Sequence, residues 1–469
     1  MSLPRSADPT TLPAHVLAAR IAARQISPVD VIDAIIAKIK ANEPKLHAFT
    51  ETYLEEARLA AEGADKAIRS GHAVGPFHGV PIALKDLVEM DGRIATGGSK
   101  AWGDRRATRT ATLARRLIQA GMIVLGKTHT VEFAFGGWGT NQHMGTPRNP
   151  WDMQTHRVPG GSSSGSGVAV AARMAPWAIG TDTGGSVRMP ASFCGVTGLK
   201  TTIGRISVHG VLPLSPTLDT PGPITRTVKD AALLYQLLQG PDSLDPRTLR
   251  HPVNDPLPWM KRGVRGMRLA RLPENELTGV EPEILAAYEA ALETLRRAGV
   301  IVVTMRLPCR LDDYALMTSR IMQSEAYSLV GDLCENRDLP LDDFVRARVL
   351  GGAQVSARDY LVALRDREAL KADFVTALDG FDALLTPTTQ MTAVPVTEVD
   401  QGKLPAYFTR FANLLELCAL AVPNGITSAG LPTSLQIVCR GFDEATALRI
   451  GWAYQSVTDW HERAPVGFS

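Results

Sequence analysis

Apolar positions in the first seventy residues recur at helical spacing. Ile32, Ile35, Ile36 and Ile39 stand at i, i+3, i+4 and i+7, which places them on one face of a helix. Ser27 suits the cap before that helix, Pro28 its first position, and Asp30 the acidic slot of its first turn. The pattern predicts helical structure from residue 11 to about residue 70. Near Gly75 the character changes. Short apolar runs at Val80–Leu84, Met122–Leu125 and Ala178–Ile179 now alternate with glycine-rich turns, and helical stretches such as Thr112–Ala120 and Val168–Met174 lie between them. That alternation argues for an α/β core.

Helical periodicity returns over 282–298 and 313–380, with Ser356 and Asp359 marking another helix start. Ala383–Leu385, just before Thr386-Pro387, reads as a buried strand, as does Ser434–Val438. Gly240–Pro258 reads as a surface loop. No repeat period, low-complexity tract or interdomain linker is visible. The expected organisation is one domain over 1–469. It comprises a helical N-terminal segment (1–75), a core (76–240) and a further α/β part (241–469) that contains the helical stretch 313–380.

Charge adds mainly exclusions. Fifty basic and forty-eight acidic residues leave a formal charge of +2, which argues for neither nucleic acid nor an anionic membrane. The five cysteines, Cys194, Cys309, Cys334, Cys418 and Cys439, are odd in number and form no C-x-x-C pair. They read as reduced thiols of a cytoplasmic protein. No signal peptide is expected, no run approaches ~18 apolar residues, and no histidine spacing suits a metal.

One motif misleads. Gly121-Met-Ile-Val-Leu-Gly126-Lys127-Thr128 fits the G-x-x-x-x-G-K-[ST] pattern of a phosphate-binding loop. That loop works by turning backbone N–H groups onto phosphates. Met-Ile-Val-Leu favours an extended strand instead, so the expected reading is a buried strand and a glycine turn.

Three other segments carry chemistry. Pro159-Gly-Gly-Ser162-Ser-Ser-Gly-Ser-Gly167 runs directly into the apolar helix from Val168, which excludes a flexible linker and leaves a phosphate loop as an alternative. In Gly180-Thr-Asp-Thr-Gly-Gly-Ser186-Val-Arg188, glycines beside a serine let the N–H groups of Thr183, Gly184, Gly185 and Ser186 converge as an oxyanion hole. The competing reading is an ordinary tight turn. Lys85 ends the apolar run of Gly79-Val-Pro81-Ile-Ala-Leu-Lys85-Asp86. Burial there would disfavour its charge and make it a base, although a lone lysine is more often a salt-bridged structural residue.

Together these segments resemble the amidase signature family. The match is almost continuous from Pro159 through Cys194-Gly-Val-Thr-Gly-Leu-Lys200, and twenty-four positions separate Ser162 from Ser186, as in the family. Gly126-Lys-Thr with Glu132-Phe133, Asn149-Pro150, Leu218-Asp-Thr-Pro-Gly-Pro223, Asp382-Ala-Leu-Leu-Thr-Pro387 and Gly430-Leu-Pro with Leu435-Gln436 are similar to further family landmarks. One departure is Ser164, where the commoner form has glycine.

The resemblance implies a central mixed β-sheet covered by helices on both faces. It also implies hydrolysis of a C–N amide-type bond through a serine acyl-enzyme. Ser186 would attack, Ser162 would bridge through a cis peptide with Gly161, and Lys85 would be the base, with no cofactor and no metal. Asp182 and Arg188 would hold the nucleophile turn. The substrate expected is a small amide, anilide or carbamate, as for an amidase, aryl acylamidase or carbamate hydrolase. Expected partners are that small molecule, no nucleic acid, no membrane and a possible homodimer. The alternative is the A subunit of a glutamyl-tRNA amidotransferase complex; an inactive binding module is weaker, since all three catalytic positions are filled. Phe133, Phe135, Gly136, Trp138, Met317, Ile321 and Met322 are the expected substrate pocket, apolar and with little charge; core packing is the competing reading for them.

Overall fold

The structure is a computed structural model that describes residues 8–468. The first seven residues of the N-terminal segment lie outside them. Eleven strands form one sheet: β1 (Phe49–Thr52), β2 (Pro81–Lys85), β3 (Ile123–Thr128), β4 (Trp177–Asp182), β5 (Thr197–Lys200), β6 (Thr220–Thr225), β7 (Arg268–Arg271), β8 (Ile301–Thr304), β9 (Ala383–Pro387), β10 (Cys418–Ile426) and β11 (Pro432–Cys439). Their order is β1-β3-β2-β4-β6-β5-β10-β11-β9-β7-β8. The sheet is mixed and flanked by helices. β2 runs parallel to both β3 and β4, and β7 parallel to β8 and β9, while β4 to β6 and β10 to β11 are antiparallel.

The N-terminal helices lie at Ala14–Ala22, Pro28–Leu46 and Leu54–Arg69. Ser27 caps the second by accepting from the N–H of Val29. Ile32, Ile35 and Ile39 are buried along one face. β1 interrupts the stretch from residue 11 to about residue 70 that the periodicity predicts to be helical. Helical structure over 313–380 is likewise broken into Leu311–Glu335, Asp343–Leu350 and Ala357–Ala377. Ser356 caps the last of these, accepting from the N–H of Asp359. The 240–258 segment holds a 3-10 turn at Pro246–Arg250 and leads into the short helix Leu257–Met260.

The pseudo-phosphate loop resolves as β3. Lys127 is a fully buried strand residue whose Nζ donates to the Val88 carbonyl and stands 3.9 Å from an Asp86 carboxylate oxygen. Strand backbone there cannot curl its N–H groups round an anion.

Two central parallel strands position the site. β2 and β4 are neighbours in register Leu84 beside Ile179, so the end of β2 brings Lys85 to the carboxyl end of β4, where its Nζ reaches Thr181 Oγ1. Crevices at the carboxyl ends of such strands are where α/β folds place ligands. The five cysteines are free. Among the described residues, no helix is long and apolar enough to cross a membrane.

Candidate active site

The Gly/Ser segment is a set of pins. Helix Ser164–Ala171 packs against β2, β3 and β4. Ser163 Oγ donates to the Thr181 carbonyl (3.2 Å), Ser164 Oγ to that of His129 (3.2 Å) and Ser166 Oγ to that of Ile179 (3.1 Å). An added Cβ at Gly165 would collide with the Ala48 carbonyl oxygen and the His129 nitrogen, so glycine is required there. Ser164 lies within the helix and outside the positive-φ residues, so no glycine is needed at the position where the sequence departs from the commoner form.

This packing holds Ser162, preceded by a cis Gly161–Ser162 peptide, beside the end of β2. Lys85 Nζ lies 2.7 Å from Ser162 Oγ and 2.8 Å from Thr181 Oγ1. The N–H of Ser163 donates to the Ser186 carbonyl (3.2 Å), which ties the two serine segments together. Lys85 and Ser162 are 0% exposed and Ser186 6%, so only Ser186 of the three opens toward a ligand. Burial pushes the Lys85 ammonium down to about 7, against the opposing pull of the Asp182 and Asp219 carboxylates. A neutral amine aimed at a hydroxyl is a base with its acceptor in place.

The turn after β4 is shaped by Asp182. Its carboxylate accepts from the N–H of Gly185 (2.7 Å) and of Val187 (3.0 Å), and from Arg188 Nε (3.0 Å) and Nη2 (2.9 Å). Burial opposes its ionisation, but Arg188 and these N–H groups outweigh it and hold the carboxyl well below the usual range. Arg188 also donates to the Thr409 carbonyl, Gln436 Oε1 and Asn413 Oδ1, so both buried charges are fully paired.

One predicted oxyanion donor is corrected by this network. The Gly185 N–H is taken by Asp182. Those of Thr183, Gly184 and Ser186 have no partner among the described residues and remain available to a developing oxyanion.

The predicted pocket residues separate. Met322 reaches the nucleophile turn, its Cε 3.3 Å from where a Cβ on Gly184 would lie. Trp138 lines a cavity of about 430 Å3 on that side, together with Tyr407 and Arg410. Phe133 packs edge-on against Trp102, with centroids 4.9 Å apart, and Ile321 is fully buried in the main core, with Met317 packed partly buried beside it. Phe135 and Gly136 are held by Arg348, which donates to the Phe135 carbonyl (2.8 Å). The expectation of little charge does not hold: the Arg410 stem packs over Gly184 beside Met322. The sequence alone does not single out Thr181, Asp219, Thr409, Arg410 or Asn413. Thr181 and Asp219 sit inside the Gly180–Arg188 and Leu218–Pro223 motifs, and Arg410 stands as a charge among Phe408, Phe411, Leu414 and Leu415, which is its one signal.

Comparison with known proteins fits this geometry. A family model described as Amidase matches residues 30–448. The chain belongs to the amidase family. It is 36% identical to the A subunit of the glutamyl-tRNA(Gln) amidotransferase of Geobacter metallireducens, over 95% of this chain and 97% of that one. Among solved structures, it is similar to a chain from a vestigial protein complex described as revealing the evolutionary origins of an s-triazine catabolic enzyme (TM-score 0.89, 30% identity, 95% and 98% covered). It is also similar to the A subunit of the Thermotoga maritima glutamyl-tRNA(Gln) amidotransferase (TM-score 0.82, 30% identity, 98% of both chains).

These findings correct the expected partners. The resemblance implies a small-molecule substrate and a possible homodimer, and the balanced charge gives no argument for nucleic acid. Yet relatives matched over nearly their full length are subunits of an enzyme named for a tRNA substrate. Net charge reports how one chain's surface meets a polyanion; it does not report what an assembly containing that chain acts on.

Proposed function

We propose that this amidase-family chain cleaves a carboxamide through an acyl-serine and does so as the A-type subunit of an amidotransferase. The observation that carries the chemistry is the buried Lys85–Ser162 contact of 2.7 Å beside a turn that presents Ser186. Full-length similarity to the amidotransferase A subunits supports the setting.

Neutral Lys85 accepts the Ser162 hydroxyl proton as Ser162 accepts that of Ser186, and Ser186 Oγ attacks the amide carbon. The free N–H groups of Thr183, Gly184 and Ser186 receive the oxyanion. Collapse breaks the C–N bond, and the proton held on Lys85 returns through Ser162 to the departing nitrogen. A nucleophile, water in the simplest case, then frees the acyl group by the same relay in reverse.

A second reading, release of the nitrogen without transfer, is favoured by the likeness to the peptide amidase of Stenotrophomonas maltophilia (TM-score 0.85, 30% identity, 97% and 98% covered). Anilides and carbamates belong to that reading. The test is nitrogen release from primary amides, anilides and carbamates by the purified chain, alone and with the other subunits of its amidotransferase. The amidotransferase setting predicts that those subunits raise release and that the nitrogen reaches glutamyl-tRNA. Full activity alone, with no transfer when they are present, favours the second reading.

A further inference from the structure

We propose that Asp219 is a positioning residue for the acylation step: its carboxylate fixes Thr183 in the oxyanion turn and stands as counter-charge to Lys85 when the lysine holds the serine proton. The inference rests on the serine-amidase reading of the site and adds a residue to its machinery.

Asp219 leads into β6 where β4 ends, since Thr220 pairs with Asp182. It is 9% exposed. Thr183 Oγ1 donates to its Oδ1 (2.5 Å), and the N–H groups of Leu214 and Ser215 donate to its Oδ2 (2.9 Å each). The loop that supplies those N–H groups is held in turn by Glu325, on the helix Leu311–Glu335. Glu325 accepts from the Thr217 N–H (3.1 Å) and from the Tyr360 hydroxyl (2.6 Å). Thr183 is therefore anchored from outside its own turn. Its backbone N–H is one of the three free donors there, and a side chain bound to a clamped carboxylate limits how that N–H can turn away from an oxyanion.

The charge of Asp219 has no match at rest. Among the described residues it forms no ion pair: Asp182 is matched by Arg188 (2.9 Å), and Arg247, which shares a cavity wall with Asp219, pairs with Asp245 (2.9 Å). A carboxylate withdrawn from water with no cation in contact is costly, and three hydrogen bonds offset only part of that cost. Burial pushes it up to about 6, opposed by the Thr183, Ser215 and Leu214 donors and assisted by Glu325, so most of it is ionised at pH 7.

The acids that act on Lys85 are Asp182 and Asp219. Arg188 already neutralises the first, which leaves Asp219 as the uncommitted negative charge near the lysine. Its cation forms during the reaction, when Lys85 takes the serine proton and becomes an ammonium. No proton moves to Asp219. With Thr181 and Thr183 it lines a cavity of about 230 Å3 whose other walls include Leu87, Leu212 and Leu214, so the attraction is little screened by water.

The test is the rate at which a fluorophosphonate labels Ser186 in the purified full chain, from acid to mildly alkaline pH. Ser186 Oγ bonds to phosphorus, fluoride leaves, and the serine proton passes through Ser162 to Lys85. The rate therefore follows the lysine without the natural substrate. Asp219→Asn should move the rising limb to lower pH by roughly half a unit or more, because the ammonium loses its counter-charge. The plateau rate should fall roughly tenfold or more, since the lysine is then a weaker base and Thr183 is less firmly placed. Thr183→Val keeps the carboxylate, so the plateau should fall with the limb in place. If Asp219→Asn does not fold, Asp219→Ala, which lets cavity water reach the Leu214 and Ser215 N–H groups, gives the same readings. An unmoved limb in the Asp219 variant, or Thr183→Val labelling at the wild-type rate, overturns the assignment. The serine-amidase reading fails separately, if Ser186 is not labelled in the wild-type chain.

Discussion

Arg188 and Asp182 form a two-pronged ion pair, Nε to Oδ2 at 3.0 Å and Nη2 to Oδ1 at 2.9 Å, with both side chains wholly buried. The same carboxylate fixes the Gly185 and Val187 N–H groups, so the pair shapes the turn that carries Ser186. Asp182→Asn should leave Arg188 short of charge and cost about 3–5 kcal/mol, the range for breaking a buried pair. Urea unfolding of the variant checks this. Because the Asp182 carboxyl is held below its unfolded value of about 3.9, the pair's stability is present at neutral pH. It is lost only as pH falls well below that value. A wild-type-like midpoint for Asp182→Asn at pH 7 would contradict the account.

Much of this region is legible without the fold. Ser162 and Ser186 stand in glycine- and serine-rich segments whose composition only a constrained backbone explains, and Lys85 is a charge at the end of an apolar run. The partners of Arg188 are not legible. Thr409, Asn413 and Gln436 lie more than two hundred residues away, and only the sheet brings them together. β6 is hidden for another reason. Pro221, Gly222 and Pro223 argue against an interior strand, since proline has no N–H for the ladder. β6 keeps its whole length beside β4, but β5 pairs only with Ile224 and Thr225, so the prolines fall where one ladder is already absent. Gly222 is there because an added Cβ would strike the Leu199 carbonyl oxygen. β8 escapes notice because no residue of Ile301–Thr304 is buried, which removes the apolar contrast that marks a strand.

Ser186→Ala should abolish turnover and covalent labelling by a fluorophosphonate while leaving the fold intact. Ser186 is the most exposed of the three grouped side chains, and the Ala variant removes only one oxygen. Intact-mass measurement of probe adducts reads the result directly. A labelled variant would move the nucleophile, with Ser162 the first residue to inspect.

Thr181→Val should shift the pH dependence as well as the rate. Thr181 Oγ1 stands 2.8 Å from Lys85 Nζ, and its lone pairs can accept from the protonated amine. Valine keeps the shape and removes that acceptor. The ammonium form is then less favoured, so the lysine should deprotonate at a lower pH than in wild type. The rising limb of kcat/KM against pH should move to lower pH, with a fall in kcat of roughly 10-fold or more from looser orientation of the amine. A reduced rate on an unmoved profile would assign Thr181 to packing alone.

Lys85 itself carries the strongest prediction. A free lysine titrates near 10.4, so at pH 7 almost none is neutral. In the site burial brings it to about 7, so about half is neutral at pH 7 and roughly 1% at pH 5. Activity should therefore rise with pH through that region and level off once the amine is deprotonated. Lys85→Arg keeps a positive charge but stays protonated above pH 12, so it cannot accept the Ser162 proton. Lys85→Ala removes the base and leaves the N–H donors of Thr183, Gly184 and Ser186. Both variants should lose most amide cleavage. Ester cleavage should fall less in Lys85→Ala, because an alkoxide or phenoxide departs without the proton that an amine needs. The measurement is kcat/KM across pH for a matched amide and ester in wild type and both variants. Near-wild-type amide activity in Lys85→Arg, with the same profile, would make the lysine a structural cation and leave Ser162 without its base.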